Sequence, residues 1–330
     1  MKNDVLVIFD MEEEYANHLM EYIGDKRGMP FRTLVFTKKD EMHKYLKENH
    51  VDILLISSNE MSKEISDYDI EKIILLSDGR ILSEYIGYDS IFKFKSAENI
   101  VREVLDYFVE LKKDDEVLQS RKKGEIIGVY SPVGRCGKTV LSIAMGEVLA
   151  TEYKTLYINL EACSAFRGMV GPESISDLSD LMYYYKQNPE TVSIKLQAVV
   201  QSFDNLDYVL PIFYSKDLRE VETSEWIGLI NRIARSDTYE KIVVDVGNMI
   251  GDVVAFLENC DKVIMPGLSD DFSIKKMEFF EKNISDEHQE LIEKIQKVEV
   301  PDLGEKLYEM TPQMYGVSKL GEFVKNEIRL

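Results

Sequence analysis

Short, continuous apolar runs alternate with amphipathic segments along most of the chain. In its first part the strand-like runs are residues 5–9, 31–36, 51–57, 71–77 and 90–95, and the helix-like segments are 12–24, 39–48 and 97–113. Apolar runs of this length are typical of parallel strands that are buried on both faces. The alternation therefore predicts an α/β fold with a small, doubly wound, five-stranded parallel sheet.

The same alternation restarts after a charged segment with few apolar residues. We interpret residues 113–124 as a linker, between an α/β domain at 1–112 and a second one at 125–330. In the second region we expect strands within 125–131, 154–160, 206–211, 241–247, 262–267 and 291–301, and helices at 138–151, 176–187, 224–236, 252–260, 273–284 and 317–328. Ser176 or Ser179 is expected to cap one helix, and Ser224 another.

The formal net charge of −20 excludes one class of partner. Both halves of the chain are acidic, and non-specific binding of nucleic acid depends on lysine and arginine that neutralise phosphates. We therefore expect no nucleic-acid partner. No apolar run reaches the roughly 18–20 residues of a membrane span, and the first residues do not resemble a signal peptide. Three dispersed cysteines fit a reducing cytoplasm, and the four histidines, in polar helical contexts, suggest no metal site.

The residues SPVGRCGKTV, 131–140, follow the apolar strand IIGVY and precede an apolar helix. A Gly-Lys-Thr sequence in this context is typical of a phosphate-binding loop, in which backbone N–H groups and a helix N-terminus converge on anionic oxygens. The lysine adds a positive charge and the threonine hydroxyl is a ligand for Mg²⁺. The residues expected to hold a nucleotide are Gly134, Arg135, Cys136, Gly137, Lys138, Thr139 and Val140.

A carboxylate follows a second apolar strand about a hundred residues later. Asp245 ends the run KIVVD, the arrangement of a Walker B strand whose acid orients the Mg²⁺ shell. Each motif has a simpler interpretation when taken alone: a strand–turn–helix corner for the loop, and a turn aspartate for Asp245. Together they favour ATP with Mg²⁺ held by Thr139 and, partly through water, by Asp245.

The loop resembles the deviant Walker A motif of MinD/ParA-class P-loop ATPases, K-G-G-x-G-K-[ST]. Gly134 matches the first of the paired glycines, Arg135 stands at the second, and Val133 stands where the class has its signature lysine. In the class that lysine reaches the phosphates of a partner subunit in a nucleotide-sandwich dimer. The resemblance implies an ATP-binding homodimer in which Arg135 either replaces the missing cation or faces solvent.

A second class motif also differs from its usual form. Asn159 and Glu161 occupy the positions of the D-x-D pair, whose acids serve Mg²⁺ and the attacking water. The resemblance implies that Lys138, Asp245 and Glu161 carry any catalysis, with Glu161 positioning the water; the alternative is an ordinary surface glutamate. With one acid and the signature lysine missing, we expect ATP binding with slow hydrolysis.

The first domain resembles a response-regulator receiver. Asp10, with Glu12 or Glu13, fits the acids that follow the first strand, while Ser77 fits the fourth-strand position and Lys93 or Lys95 the fifth-strand lysine. The third strand ends in Ser57 and Ser58, without the phosphoaccepting aspartate. The resemblance implies a pseudo-receiver for docking or dimerisation; a phosphorylation switch and an unrelated flavodoxin-like domain are the alternatives.

A pseudo-receiver in front of a MinD/ParA-like ATPase is the architecture of the TadZ/CpaE proteins of Flp (tight-adherence) pilus systems, which this chain resembles in layout. The resemblance implies a cytoplasmic localisation factor, often polar, that acts as an ATP-linked dimer with pilus assembly proteins at the inner face of the membrane. Association with the membrane would then be peripheral and through partners. Two alternatives remain open: a MinD- or FlhG-like spatial regulator of division or flagella, and a nucleotide-free scaffold.

The last helical segment predicts a packed terminus. Val317, Leu320, Val324 and Ile328 share one face, and we expect this face to pack on the ATPase core, with a membrane-targeting helix as the alternative. Trp226, which opens an amphipathic helix, is expected in the core.

Overall fold

The computed structural model describes residues 4–26, 29–111, 123–170, 176–214, 216, 220–236, 238–285, 287–301 and 310–330. The chain divides into two compact units, Met1–Val117 and Leu118–Leu330. Residues 113–122 of the predicted linker lie outside the described residues. Gly124, at its end, donates a hydrogen bond to the backbone of Ala234 and so belongs to the second unit.

Within the described residues, the first unit is a five-stranded parallel sheet with helices between its strands. Its elements are β1 (Asp4–Phe9), α1 (Glu13–Asp25), β2 (Phe31–Phe36), α2 (Lys39–Glu48), β3 (Val51–Ser57), β4 (Ile70–Ser77), β5 (Asp89–Phe92) and α3 (Ala97–Leu111). The strand order is β2-β1-β3-β4-β5, and every pairing is parallel. The prediction of a doubly wound five-stranded sheet is confirmed.

The central strand of this sheet shows why continuous apolar runs predict parallel strands. Every residue of β3 is buried, because helices cover both faces of a parallel sheet. The last strand is shorter than its predicted range of 90–95: β5 ends at Phe92, and Phe94 is exposed.

The second unit contains a larger, mostly parallel sheet. Its elements are β6 (Glu125–Val129), α4 (Lys138–Leu149), β7 (Thr155–Asn159), α5 (Ala165–Val170), α6 (Leu178–Gln187), α7 (Val192–Val199), β8 (Val200–Phe203), β9 (Leu206–Val209), α8 (Thr223–Ala234), β10 (Lys241–Asp245), α9 (Val253–Glu258), β11 (Lys262–Gly267), α10 (Asp271–Ile284), α11 (Gln289–Lys294), β12 (Ile295–Glu299) and α12 (Lys319–Glu327). The seven described strands lie in the order β12-β11-β6-β10-β7-β9-β8, and β8 pairs antiparallel with β9. The predicted fold class is therefore confirmed for this unit as well.

Both predicted helix caps in this unit are wrong. Helix α6 is capped by Asp177, which forms a reciprocal capping box with Asp180, instead of by Ser176 or Ser179. Helix α8 begins one residue before Ser224, with Glu222 at its N-cap position. At α6 the Asp177 carboxylate accepts the backbone N–H of Ser179 in a charge-assisted hydrogen bond, and at α8 Ser224 lies inside the helix because Thr223 is its first residue.

The C-terminal helix packs on the helix that follows the phosphate-loop motif. Leu320 and Val324 of α12 are fully buried in the core cluster that includes α4, as predicted for this face. Val317 is an exception, being 86% exposed before the helix begins. Gly316 donates its backbone N–H to the carboxylate of Glu147, which ties the start of the terminal segment to α4. Trp226 is fully buried in the core, as expected.

Among the residues that the structure describes, no helix combines the length and the apolar character needed to cross a lipid bilayer.

Candidate functional site

The predicted site residues of the second unit meet at the carboxyl ends of three adjacent strands. Strand β10 lies between β6 and β7, and its last residue, Asp245, is in register with Val129 of β6 and Asn159 of β7. The loop that leaves β6 leads into α4 at Lys138. The edge formed by the carboxyl ends of parallel strands is where open α/β sheets bind their ligands.

Two residues of the loop have left-handed backbone conformations just before the start of α4. Gly137 precedes α4 with a φ of 79°, in the left-handed region that favours glycine. Arg135 also lies there, with a φ of 62°, which costs a non-glycine residue roughly 1 kcal/mol. Its side chain is exposed, and a Cβ added to the neighbouring Gly134 would meet no atom of the described residues within 4 Å. The outer face of the loop is therefore open.

The inner face of the loop is anchored by apolar side chains. Val133 and Cys136 are 6% and 3% exposed and form one cluster with Met265 of β11 and Met277 of α10. The Cys136 thiol donates to the carbonyl oxygen of Val133 across the turn, with an Sγ–O distance of 3.2 Å. Val133 therefore fixes the loop to the core, and its side chain does not point out of the subunit.

Lys138 lies between two carboxylates. Its Nζ contacts Oδ1 of Asp245 and is 2.9 Å from Oε1 of Glu161. Burial on its own lowers the pKa of Lys138, but the two carboxylates outweigh it and raise this pKa above its ordinary value. The side chain is therefore a fixed cation at the N-terminus of α4, oriented by acids from two different strand ends.

Asp245 is fully buried and is held by donors from several elements. Besides Lys138, the Asn159 amide donates to Oδ2 at 2.8 Å, and the Tyr157 hydroxyl lies 3.3 Å from the same oxygen. Burial raises the pKa of Asp245, while Lys138 and the nearby Thr139 hydroxyl act in the opposite direction. The carboxylate is thus oriented toward the loop, and the two predicted metal ligands, Thr139 and Asp245, lie close together.

Asn159 makes contacts that an aspartate at this position could not make. Its amide nitrogen donates to Asp245 and to the Tyr157 hydroxyl oxygen at 3.1 Å, while its Oδ1 accepts from the backbone of Glu161 at 3.0 Å. A carboxylate has no N–H group and would face the charge of Asp245, with both side chains at most 1% exposed. The residue that replaces the first acid of the D-x-D pair therefore orients Asp245.

The structure brings together Lys138, Thr139, Glu161 and Asp245, as predicted. Val140 follows them in α4, but its side chain packs against the apolar core, so that only its backbone faces the loop. Sequence reasoning missed Tyr157, whose pKa burial raises well above its usual value. The sequence places Tyr157 on a strand expected to be buried, two residues before Asn159. A buried tyrosine hydroxyl normally has a polar partner, so this position could have indicated a contact with the site.

The first unit has a separate charged group at the carboxyl ends of its own strands. Lys93, after β5, is 5% exposed, and its Nζ lies 2.6 Å from Asp10 and 3.2 Å from Glu12. Burial lowers the pKa of Lys93, but its bonds with these two acids raise it above the usual value. Of the alternatives left by the sequence, Lys93 and Glu12 lie in this group, whereas Lys95 pairs with Glu103.

No protein-family model and no curated protein matches this chain. It is similar to the solved structure of a ParA family ATPase from Chlorobium tepidum, with 18% identity, a TM-score of 0.45, and coverage of 54% of this chain and 73% of that one. A putative plasmid partition protein from Borrelia burgdorferi bound to AMPPNP has 18% identity and a TM-score of 0.42, over 63% and 83% of the two chains. McdA from Cyanothece in complex with ATP has 13% identity and a TM-score of 0.41, over 50% and 64%. Identities and TM-scores this low do not assign the chain to a family.

Proposed function

We propose that the second unit binds ATP with Mg²⁺ between the 131–140 loop and Asp245, and that the chain is a nucleotide-linked localisation factor. The observation that carries this proposal is the convergence of Lys138 and Thr139, at the N-terminus of α4, on the buried carboxylate of Asp245. A cation, a hydroxyl and a carboxylate at the end of a glycine-containing loop form the donor set that phosphates and Mg²⁺ require.

The residues present fit this nucleotide. The N–H groups of the loop and of the first turn of α4 would hold the phosphates, and Lys138 would exchange its carboxylate partners for phosphate oxygens. Thr139 and, through water, Asp245 would hold the metal. Bound Mg²⁺ neutralises phosphate charge, and ATP supplies a phosphoryl group for hydrolysis. The open space beside Gly134 leaves the outer face of the loop accessible to the ligand.

Hydrolysis in this site is proposed to be slow. Asn159 donates hydrogen bonds to Asp245 and has no carboxylate with which to activate a water molecule. Of the two positions of the D-x-D pair, Glu161 keeps a carboxylate that could orient a water, and it is paired with Lys138. The signature-lysine position is the buried Val133, which leaves the exposed Arg135 as the loop cation that can contact a partner subunit.

The first unit is proposed to be a receiver-like docking or dimerisation module. Ser57 ends β3 where a receiver has its phosphoaccepting aspartate, and a serine does not form an acyl phosphate. Lys93 is already neutralised by Asp10 and Glu12. The layout of the two units supports a role like that of TadZ/CpaE proteins: positioning a Flp-type pilus assembly machinery as a cytoplasmic dimer that reaches the membrane through its partners.

Light scattering tests this proposal through the molar mass of the full chain without nucleotide, with Mg²⁺-ADP and with Mg²⁺-ATP. We expect a dimer that forms or tightens with Mg²⁺-ATP in the parent chain and in Lys154→Ala, which removes an exposed lysine outside the site. Lys138→Ala is expected to remove the response. An identical mass in all three conditions would contradict a nucleotide-linked dimer.

A further inference from the structure

Four polar side chains lie together at the amino ends of β3 and β4, at the opposite edge of the first sheet from Lys93. His50 immediately precedes β3 and Asp52 is its second residue; Asp69 precedes β4 and Glu71 is its second residue. The parallel register places Val51 beside Ile70, so that His50 neighbours Asp69 and Asp52 neighbours Glu71. Side chains two residues apart on a strand share a face, which groups all four.

Three atoms of this group have the separations of ligands around one metal ion. Nε2 of His50 is 3.5 Å from Oε1 of Glu71 and 4.0 Å from Oδ1 of Asp52, and the three atoms lie within 4.8 Å of one another. Two ligands about 2.1 Å from a tetrahedral Zn²⁺ ion are roughly 3.4 Å apart. The His50–Glu71 separation already matches this value, whereas the other two separations must shorten by about 0.6 Å and by at most about 1.4 Å for one ion to bind all three.

The surrounding contacts orient the ligand atoms. Nδ1 of His50 lies 3.0 Å from the carboxylate of Asp69, and an N–H at this nitrogen leaves the lone pair of Nε2 toward Asp52 and Glu71. The other oxygen of Asp52, Oδ2, accepts from the backbone N–H of Val5 at 2.7 Å. Asp52 is 6% exposed, so its carboxylate is held in one orientation by the start of β1.

We propose that His50, Asp52 and Glu71 form a binding site for Zn²⁺ or a similar divalent transition metal, with Asp69 as the residue that positions His50. The fourth position is open to water, because the side chains of His50 and Glu71 are 35% and 44% exposed. An imidazole ligand favours zinc over Mg²⁺, which prefers oxygen ligands alone. This site is therefore chemically distinct from the magnesium site proposed in the second unit.

The sequence suggests no metal site because it places the four histidines in polar helical contexts. His50 lies outside a helix in the structure: α2 ends at Glu48, and His50 belongs to the connection into β3. A strand start places it beside acids from two strands, which a helix would not do. A metal held there would join the amino ends of β3 and β4 and stabilise the folded unit by mass action.

The competing arrangement is a His50 that pairs with the three carboxylates and holds no metal. Both arrangements predict that His50→Ala lowers stability, so stability alone does not separate them. Zinc affinity separates them, because ion pairing alone creates no specific zinc site. Glu71→Gln is the sharpest variant: it keeps the shape of a half-exposed side chain and removes the anionic ligand, so that the fold is expected to persist.

The experiment is a titration of the metal-free full chain with Zn²⁺ by isothermal calorimetry, with Co²⁺ absorption as a spectroscopic signature of four-coordinate binding. We expect one high-affinity zinc per chain, a loss of affinity of at least about tenfold in His50→Ala and Glu71→Gln, and a roughly 10- to 100-fold loss in Asp69→Asn. Two matched controls are His18→Ala and Cys163→Ser. Each removes an exposed side chain of a type that can bind a metal but that lies outside the proposed site, so each should leave the zinc affinity unchanged.

Two results would overturn the proposal. One is a folded parent chain that binds neither Zn²⁺ in calorimetry nor Co²⁺ in the absorption measurement. The other is zinc binding that persists unchanged in folded Glu71→Gln, or that disappears in His18→Ala or Cys163→Ser. Folding of each variant is checked by circular dichroism, and Glu71→Gln decides the outcome if His50→Ala does not fold.

Discussion

Asn159 offers a substitution whose effect depends on pH in a way that the structure predicts. Asn159→Asp restores the acid of the D-x-D pair and changes only the amide to a carboxyl. In the parent chain the amide nitrogen lies 2.8 Å from Oδ2 of Asp245, and both residues are at most 1% exposed. The variant places two carboxyl groups at hydrogen-bonding distance in positions that the folded chain shields from bulk solvent.

Two carboxylates this close cannot both ionise without a large cost, so the pKa of the added group must rise in the folded state. Its pKa in the unfolded chain is about 3.9, and each unit of increase costs about 1.4 kcal/mol at a pH above the raised value. An increase of two to three units therefore costs about 3–4 kcal/mol at pH 8. Below about pH 4 the new carboxyl is protonated in both states and this cost disappears.

Urea unfolding followed by Trp226 fluorescence measures this loss. Trp226 is the single tryptophan and is fully buried in the core of the second unit, so it reports on the unit that contains the substitution. We expect the difference in unfolding free energy between parent and Asn159→Asp to grow from pH 4.5 to pH 8. The control is Asn248→Asp, the same chemical change at an exposed position. Equal stability of Asn159→Asp and the parent at pH 8 would refute the reasoning.

Three further predictions concern other charged groups. Burial raises the pKa of Glu147 to about 7, above its value in the unfolded chain. The free energy of unfolding of the parent chain should therefore fall as the pH rises from about 4.5 to 7. In urea unfolding, Glu147→Gln should make this fall smaller by about 1–3 kcal/mol. Lys93→Met leaves Asp10 buried without its cation. Scanning calorimetry should show a loss of about 3 kcal/mol in the free energy of unfolding, while titration calorimetry should show an unchanged ATP affinity. Arg135→Gly removes a side chain from a residue with left-handed backbone conformation, so the free energy of unfolding should change by no more than about 1 kcal/mol. The same variant should weaken ATP-linked dimerisation in light scattering. Full dimerisation would show that Arg135 does not contact the partner.

Much of the fold follows from patterns that are local in the sequence. Buried parallel strands appear as continuous apolar runs, which is why the five strands of the first unit and the neighbours of β6 were predicted. The antiparallel β8 was missed because VQSF (200–203) is short and half polar. It forms a strand through its pairing with β9, a tertiary contact that a propensity does not contain.

The site was predicted to a similar extent and for a similar reason. Gly137, Lys138 and Thr139 are consecutive, and Asp245 ends a recognisable strand, so their types and spacing identify them. The roles of Asn159 and Val133 could not be obtained from spacing. Whether Asn159 donates to Asp245, and whether Val133 faces the core, depends on strand order and on packing against Met265.

His50 illustrates the same limit at the other sheet. Its proposed partners are two residues away on its own strand and about twenty residues away on the neighbouring strand. They share a site only because β3 and β4 pair in parallel with Val51 beside Ile70. A sequence pattern predicts each strand but leaves the register between them undetermined.

Calorimetric titration of the full chain with ATP shows whether the second unit binds Mg²⁺-ATP through Lys138. The titration is made with Mg²⁺ and with EDTA, on the parent, Lys138→Ala and the surface control Lys154→Ala, after Trp226 fluorescence has verified that each is folded. We predict one ATP per chain, tighter with Mg²⁺, an affinity at least about tenfold lower in Lys138→Ala, and no change in Lys154→Ala. Equal affinity in parent and folded Lys138→Ala, or no ATP binding by the parent, would contradict the account.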